Sequence, residues 1–338
     1  MESEIYNKEG NVSGVTLHGV LLLLLLLSLM SCRPSKTLVL PNYSDQPDMG
    51  KVDGEFSMMT YNIKALSTKP VEEVDAIIKF IKRGDFDVVL LQEVFSEKNR
   101  KQLTDSLSGD YPNIMERVDY GGWASLWQDA GLMILSKYKI VNLKMLDLGK
   151  SIKNRNGFQH MMLDKEVSVS LDAFANKSIA SMLLDMGAGK HLLACTTHAQ
   201  AFGSPKNRRR QFEEMNTYIE TISNAIIKND IVKPDNLTVL LTGDLNIHGT
   251  PSSDYDKMLS LLGGSEDLYL KQPLEKKEPT FAAGIFNMLL RFDYMLAWPL
   301  ISEYNLNVPA VKKITVADVK VEGISISDHY PVVGILSF

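Results

Sequence analysis

The 338-residue chain has two cysteines, Cys32 and Cys195, so at most one disulfide can form and a disulfide-stapled scaffold is excluded. It has no surplus of positive charge. Its 36 lysines and arginines stand against 41 aspartates and glutamates, for a formal net charge of -5. Nucleic-acid binding rests on basic surface, so this balance counts against a protein that lives on DNA or RNA while leaving a nuclease open. No internal repeat of solenoid period occurs, and the one low-complexity tract is a run of leucines. Apolar content is ordinary, at 45%, and supports a core of normal size. No composition break follows residue 55, which points to one domain.

The leucine run lies in GVLLLLLLLSLMSC, Gly19 to Cys32. Its dozen or so apolar residues match a signal-peptide core and fall short of the ~20 needed to span a bilayer as a helix. Leu29 to Cys32 resembles the lipobox of bacterial lipoproteins, which implies cleavage before Cys32 and lipid on its thiol and new amino group. Two features depart from that pattern: Glu2, Glu4 and Glu9 outnumber Lys8 ahead of the run, and Met30 is bulkier than the usual residue there. The expected organisation is a signal peptide over 1–31, a lipidated tether over 32–54 punctuated by Pro34, Pro41 and Pro47, and a catalytic domain over 55–338. The expected location is a bacterial cell envelope, on the periplasmic side or at the outer membrane. Cys195 sits in apolar HLLACTTHAQ and reads as a small buried hydrophobe.

Strand and helix patterns alternate after the tether. EFSMMTYNI and FDVVLLQEVF read as strands, the second apolar on both faces. Val71, Val74, Ile78 and Ile81 fall at helical spacing between Pro70 and Gly84, and SEKNRKQLTDSL reads as a further helix. DAGLMILSKYKIV reads as a hairpin or a pair of strands, and SVSLDAF, SIASMLLDM, HLLACTTH, NLTVLLTGDLNI, RFDYMLAW and YPVVGILSF as strands. The longest helix begins at Ser204-Pro205, with Phe212, Met215, Ile219, Ile222 and Ile226 on one stripe. Arg208, Arg209 and Arg210 crowd its N-terminus, where positive charge is unfavourable, so at least one needs a partner. The mixture predicts a layered α/β domain, two sheets packed face to face with helices outside.

Polar residues stand at the ends of these strands: Asn62, Glu93, His198, Asp244, Asn246, Asp293, Asp328 and His329. Any one of them reads equally well as a turn former or helix cap. Together they offer oxygen donors and two imidazoles, with no second thiol, which suits a hard cation such as Mg²⁺. Glu93 is the natural direct ligand. The two histidines supply a base and an acid or electrostatic partner. If the strand continues, Asp244 and Asn246 share one side. Such a set is what metal-assisted attack of water on a phosphate ester needs.

MTYNI, LLQEVF, GLMILSKYKI, TTHAQA, LTGDLNI, RFDYMLAW and SDHYPVVG occur in the order of the endonuclease/exonuclease/phosphatase superfamily, from about Phe56 to the end. Within it, the chain resembles the neutral sphingomyelinase branch. NKSIASMLLDMGAGKHLLACTTHAQA is similar to that branch's stretch, with Ser178 in place of glycine, and QEVF and NRRRQ also fit. The resemblance implies a DNase I-like, four-layered α/β sandwich, in which two mixed sheets are flanked by helices. It also implies divalent-metal-dependent hydrolysis of phosphate esters.

Carried over to this sequence, the resemblance implies that Glu93, with Asn62, holds Mg²⁺, with Mn²⁺ or another divalent cation, and one ion or two, left open. His329 is then the base, and Asp328 its steering group. Asp244 and Asn246 position water and phosphate, and His198 stabilises developing charge. Asp293 reads as part of a supporting strand that holds the histidine's loop. Lys177 is read with equal weight as a phosphate contact or a solvated turn lysine. Trp123 and Trp127 line a rim or pack a hairpin. Bacterial secreted members of the branch carry an exposed aromatic hairpin for membrane contact, and no Trp or Phe occurs between Pro299 and Ser325 to form one. The expected activity is a sphingomyelinase-like phospholipase C on a phospholipid. The expected chain is monomeric and membrane-held through Cys32, with a nucleic-acid partner disfavoured but left open. The rivals are a nuclease, an inositol-phosphate or sugar-phosphate phosphatase of the same fold, and a non-catalytic binding lipoprotein.

Overall fold

A run such as Val88–Leu91, apolar at every position, is satisfied only where both faces of a strand are covered. The computed structural model shows what covers them. It describes residues 54–66, 68–118, 129–166, 175–201, 204–272, 278–283 and 288–338. The expected signal peptide, Cys32 and nearly all of the tether lie outside the described residues, as do Trp123, Trp127 and the expected strand SVSLDAF.

Two large sheets hold, in chain order, β1 (Glu55–Ala65), β2 (Val88–Val94), β3 (Asn113–Met115), β4 (Met133–Ser136), β5 (Lys139–Ile140), β6 (Lys153–Arg155), β7 (Phe158–Leu163), β8 (Lys177–Gly187), β9 (Lys190–His198), β10 (Leu237–Asp244), β11 (Glu266–Asp267), β12 (Asp293–Ala297), β13 (Ala310–Val316) and β14 (Val332–Ser337). The first sheet is ordered β13-β14-β1-β2-β4-β3. The second is ordered β11-β12-β10-β9-β8-β7-β6, with β5 also pairing β8. Both are mixed. β1 lies parallel to β2 and antiparallel to β14, and β10 lies parallel to β9 and antiparallel to β12.

Side-chain alternation sorts the core into layers. Phe56, Met58, Val88, Leu90 and Ile134 of the first sheet meet Ala180, Met182, Leu192, Ala194 and Leu240 of the second. The outer face of the first sheet carries α1 (Val71–Gly84) and α2 (Glu97–Leu107), through Val74, Ile77, Ile81, Leu103 and Leu107. The outer face of the second carries α3 (Pro205–Lys228) and α4 (Ser253–Leu261), through Met215, Ile219, Ile222 and Met258. This is the expected four-layered sandwich. Among the described residues, each sheet face is covered by residues from Phe56 onward.

Local signals act as read. Pro70 precedes α1, and the Ser204 hydroxyl accepts the Asn207 N–H at the head of α3. Arg208 donates to the Ala201 carbonyl, Arg209 lies 3.7 Å from Asp254, and Arg210 pairs with Asp164, so each arginine of the run has a partner. The stretch DAGLMILSKYKIV forms a pair of strands but no hairpin. β4 belongs to the first sheet and β5 to the second, so the chain crosses between layers there.

Gly243 is fixed by close approach. At φ +130° a Cβ on it would lie 2.1 Å from the Thr197 carbonyl oxygen of β9. Gly243→Ala is therefore expected to cost more than about 3 kcal/mol, since neither backbone can move without breaking the ladder. Chemical denaturation of the variant measures it.

Candidate active site

The space between the sheets changes character along the strands. It is apolar through Phe56, Met58, Leu90 and Ala194. It then becomes polar, because Gln92 crosses the gap: its Nε2 donates to Thr60 Oγ1 at 3.0 Å and to Thr196 Oγ1 at 2.9 Å. One step further are Asn62, His198 and Asp244, all buried. His198 and Asp244 end β9 and β10 at one rim, where β1 brings Asn62 and β2 adds Glu93.

Asn62 Nδ2 donates to Glu93 Oε1 at 3.1 Å and to Asp244 Oδ2 at 3.3 Å. His198 Nε2 lies 3.8 Å from Glu93 Oε1 and 3.6 Å from Asp244 Oδ2. His329 Nε2 approaches the same Asp244 oxygen at 3.4 Å from the other side. Two imidazoles thus flank one buried carboxylate. Ser327 fastens the loop of His329, donating through its hydroxyl to the Asn62 carbonyl at 2.9 Å and accepting the His329 N–H at 3.2 Å.

The steering group of His329 is not its neighbour Asp328. His329 Nδ1 meets Asp293 Oδ2 at 2.9 Å, and Thr280 Oγ1 donates to that same oxygen at 2.7 Å. Residues 326–328 form a bend, and the side chains of Asp328 and His329 leave it towards different partners. Asp328 instead pairs with Lys64 Nζ at 2.8 Å. Sequence reasoning placed Asp293 in a supporting strand and missed Lys64. The signal for Asp293 was its position ahead of an apolar run, the same position that Asp328 and His329 occupy.

Three other expectations change in detail. Asn246 does not continue the strand. β10 ends at Asp244, and Asn246 turns to φ +52°. There its N–H donates to Asp244 Oδ1 at 2.9 Å and its Nδ2 to the Ala199 carbonyl at 2.9 Å, so it braces the His198 loop. Asn62 presents its amide nitrogen to the carboxylates, while its Oδ1 accepts the Lys64 N–H at 3.2 Å. Lys177 is no solvated turn residue, because it begins β8 and is 2% exposed. In β8 it shares the parity of Ile179 and Leu183, which pack under α3, rather than that of Ala180 and Met182 between the sheets.

The strand order, the layering and this rim agree with the sequence-level resemblance, and direct comparison decides it. Residues 59–329 match the Endonuclease/Exonuclease/phosphatase family. The chain belongs to that family. Sphingomyelinase C 2 of Leptospira interrogans is 29% identical over 286 residues, which is 77% of this chain and 42% of that relative. The chain therefore spans less than half the length of that relative. Sphingomyelinase C from Streptomyces griseocarneus superimposes with a TM-score of 0.57 at 23% identity, over 84% of this chain and 99% of that one. A doubly substituted beta toxin from Staphylococcus aureus with bound magnesium ions gives 0.56 at 19% identity, over 84% and 100%. These two likenesses establish the shared fold.

The electrostatics of this family member's rim follow from burial. Burial pushes the Glu93 carboxyl up, and the charge of Asp328 adds to the rise. Asp244 is likewise raised, by burial first and then by Asp293 and Glu93. Burial alone would lower the His329 imidazole, but the charges of Asp293 and Asp244 and the Asp293 hydrogen bond outweigh it and raise it. Asp328 goes the other way. Burial opposes its ionisation, yet the Lys64 ammonium and His329 hold it below the ordinary carboxylate range.

The residues fit a divalent cation. Glu93 and Asp244 are hard oxygen donors whose ionisation burial opposes, and a cation would offset that. Among the described residues no group of three His, Cys, Asp or Glu side chains forms a closed cage. Mg²⁺ characteristically uses one or two carboxylates and keeps several waters.

A raised carboxyl destabilises the folded state above its folded pKa, and the penalty fades as pH falls from that value to the unfolded one. Glu93→Gln is therefore expected to raise the metal-free unfolding midpoint at pH 8. The gain shrinks towards pH 4. Calorimetry at both pH values checks this.

Proposed function

We propose that the chain is a Mg²⁺-dependent phosphodiesterase of the sphingomyelinase type, a phospholipase C that cleaves a phospholipid between its lipid alcohol and its phosphate. We further assign it to a bacterial cell envelope, on the periplasmic side or at the outer membrane, held by lipid on Cys32. The observation that carries the reaction type is the pair of imidazoles flanking Asp244, one of them bonded at Nδ1 to Asp293. The likeness to the Leptospira sphingomyelinase supports the substrate class.

Glu93 would hold the metal, with Asn62 contributing its oxygen once its amide turns. Bound Mg²⁺ supplies positive charge and polarisation to a phosphoryl oxygen. His329 Nε2 takes a proton from the attacking water. Asp293 keeps the other proton on Nδ1, which fixes the tautomer and stabilises the imidazolium that forms. The water oxygen bonds to phosphorus as the bond from phosphorus to the lipid alcohol oxygen breaks. His198 faces the charge on the phosphoryl oxygens and supplies a proton to the departing alkoxide. Asp244, anchored by Asn62 and the Asn246 N–H, orients the water between the imidazoles. Lys64 holds Asp328 clear of His329.

The test is hydrolysis by the chain from Arg33 onward of sphingomyelin in detergent micelles, plasmid DNA and an inositol phosphate, each with Mg²⁺ and with EDTA. The expected result is phosphocholine release that needs both Mg²⁺ and His329, with His329→Ala reducing it at least ~10³-fold. DNA nicking or phosphate release in its place would overturn the substrate.

Asp293→Asn separates steering from general electrostatics. The carboxylate favours the imidazolium, so its loss lowers the His329 pKa, and the acid limb of the pH–rate profile is expected to move to lower pH. The maximal rate falls by about 10²–10⁴-fold, because the ring loses its orienting anion.

A further inference from the structure

Two buried glutamines stand beside the site and take no part in the chemistry above. Gln200 lies two residues beyond His198 and is 1% exposed, and Gln211, in the second turn of α3, is fully buried. A buried amide is costly unless its groups are paired. These two are paired to the chain that leaves the rim.

The strands on either side of β8 both end there. Leu163, the last residue of β7, pairs with Lys177, and Thr197, next to the end of β9, pairs with Ile179. β8 starts at Lys177, so past that level it supplies no ladder. The two amides take its place. Gln200 Oε1 accepts the Glu166 N–H at 3.0 Å and its Nε2 donates to the Glu166 carbonyl at 3.1 Å, the pair of bonds that a neighbouring strand would make. Gln211 Oε1 accepts the Gln200 N–H at 2.9 Å and its Nε2 donates to the Asp164 carbonyl at 2.6 Å. Asn207 Nδ2 gives Gln200 Oε1 a second donor at 2.6 Å.

His198 is thereby held from two sides. Towards β10, the Ala199 N–H donates to the Asp244 carbonyl at 2.9 Å and Asn246 Nδ2 to the Ala199 carbonyl at 2.9 Å. Towards β7, the glutamines do the holding. The ring itself stands 3.6 Å from the Asp244 carboxylate and 3.8 Å from that of Glu93, so neither fixes it by a hydrogen bond. Its place depends on the backbone, and a reacting group misplaced by about 1 Å loses about 10²-fold in rate.

We infer that Gln200, clipped by Gln211, is a positioning residue for His198 that keeps its ring within reach of the departing alcohol oxygen. The inference deepens the reading above, in which His198 supplies a proton to that oxygen, and rests on it. Glutamine suits the position because its amide both donates and accepts. Glutamate has the same shape, but once ionised it has no donor and turns a carboxylate oxygen on the Glu166 carbonyl.

The experiment compares turnover, by the chain from Arg33 onward with Mg²⁺, of sphingomyelin in detergent micelles and of p-nitrophenyl phosphocholine. The second substrate releases a weakly basic phenolate that needs little help from an acid. Gln200→Glu is expected to lower kcat on sphingomyelin by about 10²-fold and on the aryl ester at least ~10-fold less, with KM changed less than about threefold. His198→Ala is expected to show the same preference for the aryl ester. Adding Gln200→Glu to it is expected to cost at most about threefold more, because the placement of an absent ring has no effect. Unfolding midpoints check that the variants fold. Should Gln200→Glu unfold, Gln211→Glu, which removes the donor to the Asp164 carbonyl, takes its place with the same expectation. Equal losses on both substrates, wild-type activity, or losses that add in the double variant overturn the inference while His198→Ala still prefers the aryl ester. A His198→Ala variant without that preference overturns the proton-donor reading itself, and no wild-type release of phosphocholine overturns the phospholipase reading.

Discussion

Four carboxylates, Glu93, Asp244, Asp293 and Asp328, share one rim of the sandwich, and the site depends on keeping them apart in role. Their partners differ in kind. Lys64 holds Asp328, and the Asn62 amide bridges Glu93 to Asp244. Thr280 and His329 occupy Asp293. Lys64 favours the ionised form of Asp328, whereas burial opposes the ionisation of Glu93 and Asp244. A cluster with this excess of negative charge has a use for a cation, and that need is a property of the fold rather than of any single residue.

The backbone carries part of the cost. Lys64, Glu93 and Asn246 all sit at positive φ, between 48° and 57°. Side chains other than glycine avoid that region, and such residues persist where surrounding structure over-determines them. Here the over-determination is visible. β1 and β2 are locked by a parallel register from Met58 to Asn62, and β9 and β10 by one that runs to His198 and Asp244. Gln92 ties the sheets together just below. The rigid layers permit the strained turns that aim the site.

Much of the fold was legible because it rests on local signals. Periodicity marked β1, β2, β8, β9, β10, β14 and α1 to α3, and Ser204-Pro205 marked a cap that forms as read. The short strands β6 and β7 and helix α4 escaped, since three to nine residues with partial burial leave little periodicity. The hairpin that pairs Phe281–Ala283 with Met288–Leu290 escaped for the opposite reason, as its strands have no alternation to read. In the site, residue identities were legible and pairings were not. Asp328 beside His329 in sequence invited the wrong partner, whereas the true one, Asp293, lies 36 residues away and reaches His329 from the other sheet.

Strand direction explains the placement of the polar residues. Asn62, Glu93, His198 and Asp244 each follow an apolar run, while Asp293 and His329 each precede one. β1, β2, β9 and β10 arrive at the rim, and β12 and β14, antiparallel to β10 and β1, depart from it. Register places Asp244 opposite Asp293 and Thr60 opposite Val332. A polar residue's position before or after its apolar run therefore encodes which way that strand crosses the sandwich. Applied to this sequence, the rule assigns all six residues to one rim. It also makes Asp293 a site residue on the same footing as His329, the assignment that its label as a supporting strand had hidden.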